Sequence, residues 1–231
     1  RFGRSAPDRV FPAAAKLAVT VSSGDKYAVF GNPIRHSKSP RIHAEFARQC
    51  EQDMQYRAVL VEPDQFEAAA SRFFADGGRG LNVTLPFKQQ AWAYASSLSE
   101  RARRAGAVNT LVMQENGQIR GDNTDGIGLV RDMVANLGWS LRDSRVLVLG
   151  AGGAVRGVLE LLLREHPREL QLVNRTGDKA RVLAAEFSEL GPIVGGGYEL
   201  LEAAQCDVLI NATSASLGGE LPPLPDTLLT E

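Results

Sequence analysis

The sequence predicts an α/β protein built in two parts, and three observations carry the prediction. Short apolar runs alternate with stretches of helical period along the chain. The strand texture changes near Arg145, from runs of mixed polarity to the continuous apolar run "RVLVLG". A glycine-rich turn, "GAGGAVRG", stands directly behind that run. A continuous apolar strand is what a parallel sheet covered on both faces requires.

In the first part, "KYAVFG" (26–31) alternates and stops at glycine, which reads as a strand. "NPIRHS" is a proline loop. Ser39 followed by Pro40 marks a helix start, a hydroxyl cap and then a proline at the first helical position. That helix runs to about Cys50, with Ile42, Phe46 and Ala47 on one face. "YRAVLV" (56–61) is a second strand, and "EPDQFEAAASRFFADGG" is a helix capped by Asp64 and stopped by the glycine pair. "GLNVTL" is a third strand, and Pro86 suits the first turn of the helix that "PFKQQAWAYASS" begins. Asn116–Gly117 is a strong hairpin signal, pairing "AVNTLVM" with "IRGDNT". "DGIGLVRDMVANLG" is the next helix, with Asp125 as its cap.

In the second part, "RVLVLG" leads through the glycine turn into a helix ending near Arg164. A strand "ELQLVN", a helix "DKARVLAAEFSE", a short strand near Ile193, a short helix around Leu200 and a strand "DVLINAT" follow. Such alternation gives parallel βαβ units. The expected organisation is a mixed α/β domain over 25–125, a helical connection over 126–142 and a Rossmann-like nucleotide-binding domain over 143–231. Only four strands are counted there, where a full dinucleotide fold commonly uses about six. The second domain is therefore expected to be incomplete. Residues 1–24 stay unassigned: a transit peptide, an expression scar and a frayed start all fit their unperiodic texture.

A formal charge of −1 over 231 residues offers no electrostatic case for nucleic acid or an anionic membrane. No apolar run approaches the length of a membrane span. Cys50 and Cys206 lie far apart with no metal spacing, so no metal site is expected. They fit a reducing compartment, the cytoplasm, and leave a single disulfide open.

The glycine turn carries the first functional reading. Backbone N–H groups at a helix start can receive a pyrophosphate, and missing Cβ atoms let it come close. Gly150 and Gly152 fit G-x-G-x-x-G; the sixth position is Val155, and Gly153 and Ala154 supply the close approach instead. NAD-binding chains place an acid about 20 residues further on, at the end of the second strand. Here Asn174 stands there, with Arg175 behind it and Lys179 one helical turn on. Two cations and no carboxylate favour a 2′-phosphate, hence NADP(H). Asp178 weakens this reading unless it caps its helix.

Taken singly, Lys88 reads as a solvated lysine in a first helical turn and Asp125 as a cap. His36, His43 and His166 read as exposed or structural. Taken together, seven motifs say more. "VFGNPIRHSKSPRIH" (29–43), "NVTLPFK" (82–88), "AGAVNTL" (105–111), "GDNTDGIG" (121–128), "GAGGAVRG" (150–157), "NRT" (174–176) and "NATS" (211–214) follow one another over about 26–214. In that order and spacing the chain closely resembles the shikimate dehydrogenase family.

The resemblance implies an open two-domain fold, a mixed α/β substrate domain followed by a Rossmann-like NADP-binding domain. It implies reversible reduction of 3-dehydroshikimate to shikimate by NADPH, on the route to aromatic amino acids. Lys88 would polarise the keto oxygen and give it a proton, with Asp125 beside it across the cleft, orienting the ammonium. Ser37 and Ser39 would hold the substrate carboxylate, and Thr84 and Asn109 its ring hydroxyls. Gly150, Gly152, Gly153 and Ala154 would face the pyrophosphate. Asn174, Arg175, Thr176 and Lys179 would hold the 2′-phosphoadenosine end, with lysine at 179 where the family often has arginine. Thr213 and Ser214 would line the cofactor cleft. The expected partners are the small-molecule substrate and no nucleic acid or membrane, for a monomer or homodimer. The family continues with a further strand, a glutamine-bearing helix and a closing helix. A fragment is therefore expected, with the nicotinamide side open and a longer version more active. Two rivals stay in view. A quinate/shikimate dehydrogenase often uses NAD and carries the acid this chain lacks. A non-catalytic nucleotide-binding module would have little use for Lys88, Asp125 and the serine pair.

Overall fold

Two sheets, one mixed and one parallel, organise the chain. The structure, a computed structural model, describes residues 24–213, 222–225 and 228. The expectations placed on residues 1–23 and on Ser214 lie outside the described residues.

The first sheet is built from β1 (Asp25–Gly31), β2 (Met54–Leu60), β3 (Gly78–Val83), β4 (Ser97–Leu98), β5 (Thr110–Met113) and β6 (Ile119–Asp122). Its strand order is β2-β1-β3-β5-β6-β4. Helices α1 (Ser39–Gln49) and α2 (Phe66–Ala75) are the crossovers that make β1, β2 and β3 parallel. The Asn116–Gly117 turn makes β5 and β6 antiparallel, with Gly117 at φ 78°. Helices α3 (Lys88–Tyr94) and α4 (Glu100–Ala105) complete this part. Its core is aromatic: the Phe66 ring stacks on Phe87 at 5.3 Å and meets Phe30 edge-on at 6.4 Å. Phe87 is fully buried, so the residue just before Lys88 is anchored in the core.

Helix α5 (Asp125–Arg131), extended by a π-helical turn (Asp132–Asn136), leads to the second sheet. That sheet holds β7 (Arg145–Leu149), β8 (Glu169–Val173), β9 (Ile193–Gly196) and β10 (Val208–Asn211) in the order β10-β7-β8-β9, all parallel. Helices α6 (Gly153–Arg164) and α7 (Gly177–Phe187) are its crossovers, with a 3₁₀ segment at Tyr198–Ala203. Val146 and Val148 of β7 join one apolar cluster with α6 and α7, while Leu147 and Leu149 join another with Leu201 and Leu228. Alternate residues enter different cores, which is why "RVLVL" is apolar without interruption.

Several expected helix starts move. Lys38, not Ser39, occupies the cap position of α1; Ser39 is its first residue, and its N–H donates to Ser37 Oγ at 3.3 Å. Asp64 does not cap α2, which begins behind Gln65. Pro86 lies in the turn before α3, after a cis Leu85–Pro86 peptide. Asp125 is the first residue of α5 rather than its cap, and Asp178 pairs with Arg181 at 2.7 Å instead of capping α7. The inward stripe of α1 is Ser39, His43 and Ala47, while Ile42 and Phe46 are exposed. The segment β4–α4 carries no apolar period and was not expected. It stands because Ser99 Oγ caps Ala102 N–H at 3.2 Å, Ala102 and Ala105 are buried, and Gly106 ends the helix at φ 59°. Cys50 and Cys206 are both free thiols.

Candidate active site

A cleft of about 650 Å³ opens between the two sheets. Thr84, Leu85 and Lys88 line it from the first part; Gly152, Gly153, Ala154 and Lys179 line it from the second. The glycine turn and the turn behind β3 are direct neighbours: a Cβ at Gly153 would lie 3.4 Å from the Lys88 Cβ.

Lys88 is neither solvated nor alone. Its side chain is 14% exposed, and its Nζ donates to Asp125 Oδ2 at 2.6 Å. The other carboxylate oxygen accepts from Asn109 Nδ2 at 2.7 Å. Each member is held from behind. Buried Phe87 fixes the start of α3, and the Lys88 carbonyl accepts from Val108 N–H at 2.8 Å. The Asp125 N–H donates to Asn123 Oδ1 at 3.1 Å, and buried Asn123 donates to the Ala107 carbonyl at 3.0 Å. Asn123 fits only because α6 carries glycine at 157, where a Cβ would come within 2.7 Å of Asn123 Oδ1. The last glycine of "GAGGAVRG" thus serves the packing that supports Asp125.

The wall continues as a chain of polar side chains. Asn109 Oδ1 accepts from Thr124 N–H at 3.1 Å and from Thr110 Oγ1 at 2.9 Å. Asn82 Nδ2 donates to Thr110 Oγ1 at 3.3 Å and to the Asn109 carbonyl at 3.4 Å. The Tyr56 hydroxyl donates to Asn82 Oδ1 at 2.6 Å, and its ring stacks on His43 of α1. Burial pushes the Tyr56 phenol up to about 12, against the opposing pull of the Ser39 side chain. At the end of β6, burial alone would raise Asp122, but bonds from Arg101, Ser99 and the Asn123 N–H outweigh it and hold the carboxyl below its usual range. Thr84 donates its N–H to the Phe30 carbonyl at 2.9 Å. Tyr56 was missed in the sequence and lies outside every motif; Asn82, Thr110 and Asn123 stand inside "NVTLPFK", "AGAVNTL" and "GDNTDGIG" and could have been found there.

The cofactor-side residues lie at the C-terminal ends of the parallel strands, where open α/β sheets take ligands. Gly150 follows β7 at φ 111°, and a Cβ on it would sit 3.1 Å from the Ala212 carbonyl. Around Gly152 there is open space, at the start of the twelve-residue α6. Asn174 follows β8 and donates to the Thr176 carbonyl at 3.0 Å. Arg175 and Lys179 are exposed and make no ion pair among the described residues. Asp178, the acid beside them, is taken by Arg181. Thr213 follows β10 and turns its hydroxyl to Asn211 Oδ1 at 2.8 Å. Ser37, Ser39, Asn109, Asp125, Gly150, Asn174, Arg175, Thr176 and Thr213 do not line the 650 Å³ cleft itself. Asp125 and, through it, Asn109 connect to the cleft by way of Lys88.

Known proteins are similar to this chain in sequence and in fold. The model of the shikimate dehydrogenase substrate binding domain matches residues 29–111, and that of shikimate / quinate 5-dehydrogenase matches residues 132–218. The shikimate dehydrogenase (NADP(+)) of Cellvibrio japonicus is 60% identical over 205 residues, which are 89% of this chain and 74% of that protein. Among solved structures, an Ael1 enzyme from Pseudomonas putida superposes with a TM-score of 0.79 at 48% identity, covering 89% of this chain and 75% of that one. Shikimate 5-dehydrogenase from Thermus thermophilus, solved in complex with NADP(H) and shikimate, gives a TM-score of 0.72 at 34% identity, covering 88% and 74%. With a family model on each part and 60% identity across most of a curated relative, the chain belongs to the shikimate dehydrogenase family.

Proposed function

We propose that this chain catalyses the reversible, NADP-dependent interconversion of shikimate and 3-dehydroshikimate. One observation carries the reading: an ammonium held 2.6 Å from a carboxylate stands in a cleft whose opposite wall is a glycine turn at a helix start. The name of the Cellvibrio relative and the ligands of the Thermus complex support the substrate and cofactor pair.

The residues fit the cofactor. Gly152 leaves room for a pyrophosphate that Gly150, Gly153 and Ala154 would also face. Asn174, Arg175, Thr176 and Lys179 would hold the 2′-phosphoadenosine end, where unpaired cations suit a phosphate. Thr213 and Ser214 would line the cofactor cleft. The bound nicotinamide supplies or accepts the hydride.

The rest of the chemistry belongs to the chain. Lys88 polarises the substrate keto oxygen and delivers its proton; in the other direction it receives the hydroxyl proton. Asp125 aims the ammonium, and Asn109 keeps Asp125 from turning away. Ser37 and Ser39 grip the substrate carboxylate, and Thr84 and Asn109 its ring hydroxyls. Residues 25–125 then act as the substrate domain, 126–142 as the connection and 143–231 as the cofactor domain. Among the described residues no helix is long and apolar enough to cross a membrane. We read the chain as a cytoplasmic monomer or homodimer acting on a small molecule.

The test is the absorbance of NADPH formed from NADP⁺ with shikimate, run beside NAD⁺ with quinate. Turnover of the first pair well above the second is expected. Equal turnover of both pairs moves the chain to the quinate-using type. Binding of NADP⁺ without turnover of either makes it a nucleotide-binding module.

A further inference from the structure

We propose that Tyr56 is a positioning residue of the substrate site: its ring stacks on His43 of α1 and its phenol bonds Asn82, in β3, and so sets the two sides that grip the substrate in fixed relation. The inference rests on the functional reading above and goes beyond it, since Tyr56 belongs to none of the motifs that carry that reading.

The geometry is unusual for a strand tyrosine. Tyr56 lies on β2, an edge strand, and Asn82 on β3, with β1 between them. Two strand spacings separate their backbones, roughly 10 Å. Tyr56 is in register with Tyr27, and Asn82 with Val29, so the phenol reaches diagonally across one face of β1. It arrives at hydrogen-bond distance, 2.6 Å. The ring is clamped on the way: His43 of α1 stacks on it with centroids 4.0 Å apart and planes at 12°. His43 is itself fixed, its Nδ1 lying 2.9 Å from the Ser39 carbonyl. Helix α1, β2 and β3 therefore meet at this one phenol.

The proton inventory gives each bond a direction. Tyr56 has one proton, and it goes to Asn82 Oδ1, an acceptor only. The two N–H bonds of Asn82 go to Thr110 Oγ1 and the Asn109 carbonyl. The amide can then adopt one orientation, because a flip would set its NH₂ against the phenol proton. The phenol proton remains in place throughout neutral pH, as burial raises its pKa to about 12. From Asn82 the chain runs through Thr110 and Asn109 to Asp125 and Lys88. Tyr56 thus acts on the reaction through others and touches no reacting atom.

Tyr56→Phe tests this, because it keeps the ring and its stacking on His43 and removes only the hydroxyl. The KM for shikimate should rise about five- to tenfold, the scale of one neutral hydrogen bond, while the KM for NADP⁺ and most of kcat stay. The loss should not add to that of Asn82→Ala in the double variant, since both remove one connection. An unchanged shikimate KM, or losses that add in full, overturns the proposal. A second readout needs no turnover. In ¹⁵N spectra the side-chain NH₂ pair of Asn82, identified by its absence in Asn82→Ala, should shift on Tyr56→Phe without ligand. If the unaltered chain fails to oxidise shikimate, the functional reading falls. The Asn82 signal then decides alone: a pair left in place sinks the positioning role, and a displaced pair upholds it.

Discussion

The two walls of the cleft are made in opposite ways. Behind Lys88 on the substrate side, Tyr56, Asn82, Thr110, Asn109 and Asp125 form one chain of hydrogen-bonded side chains that ends on it. On the other side stands a glycine turn, Gly150, Gly152 and Gly153, open at Gly152, with exposed Arg175 and Lys179 nearby in the chain and free of ion pairs among the described residues. Physical need explains the contrast. Proton transfer to one oxygen demands a group held within about 0.5 Å, which only a cross-braced side chain achieves. A dinucleotide is long and gripped at several points, so glycine need only admit it while cations wait for its phosphate.

If the contrast is right, breaking the braced wall should cost most. Lys88→Ala should lower turnover by about 10²–10⁴, the range for a positioned acid–base group, while shikimate affinity changes far less. Steady-state kinetics with calorimetric shikimate binding check both halves of that statement. Near-normal turnover in a folded variant removes Lys88 from the chemistry.

The cofactor wall should respond more mildly and selectively. Arg175→Ala should weaken NADP⁺ binding by about 1.5–3 kcal/mol, toward the low end because the side chain is exposed, and leave NAD⁺ binding nearly unaltered. Titration of both cofactors decides it. Equal losses would mean that Arg175 senses something other than the 2′-phosphate.

Between the walls lies Gly157, where the two parts meet. Gly157→Ala drives a methyl into Asn123, which holds the Asp125 N–H and the Ala107 carbonyl. Overpacking of this kind costs about 1–3 kcal/mol. The melting temperature should fall, and turnover should fall with it even at temperatures where the variant is folded. A variant that melts early but turns over normally would separate this contact from the site.

The same contrast governs what could be read from the sequence. The cofactor wall was legible because each signal sits in a short window: apolar β7, its glycine turn and the cations behind β8. The substrate wall was legible only where motifs carried it. Lys88 and Asp125 are 37 residues apart, Tyr56 and Asn82 are 26 apart, and a lone polar residue in a strand reads as a solvated face. Helix α1 was turned the wrong way for a related reason. Periodicity selects apolar Ile42 and Phe46, but the half-buried stripe is Ser39, His43 and Ala47, with His43 stacked on Tyr56. Helix α4 escaped notice because "ERARRA" is mostly charged. A cap and two buried alanines hold it, and neither makes a period.

Charge placement within the cofactor sheet sharpens the comparison with the smallest expected effect. At the N-terminal end of that sheet, remote from the cleft, Arg145 and Asp207 form an ion pair. Asp207 accepts from the Arg145 N–H at 2.7 Å, its Nε at 3.2 Å and its Nη2 at 2.8 Å, tying β10 to β7. The Arg145 side chain and then its backbone N–H pull the Asp207 carboxyl down to about 2. A carboxylate whose folded pKa is depressed contributes its stability above the unfolded value, about 3.9. That contribution is lost as pH falls toward the folded value near 2. Asp207→Asn should therefore melt slightly lower than the unaltered chain near neutral pH, with the gap closing as pH drops below about 4. The gap stays small because the pair is half exposed and screened. NADP⁺ binding should not change, since Asp207 stands at the opposite end of the strands from Gly150 and Arg175. If cofactor binding weakened along with stability, the two ends of the sheet would be coupled, and the open cofactor wall would depend on the same bracing as the substrate wall.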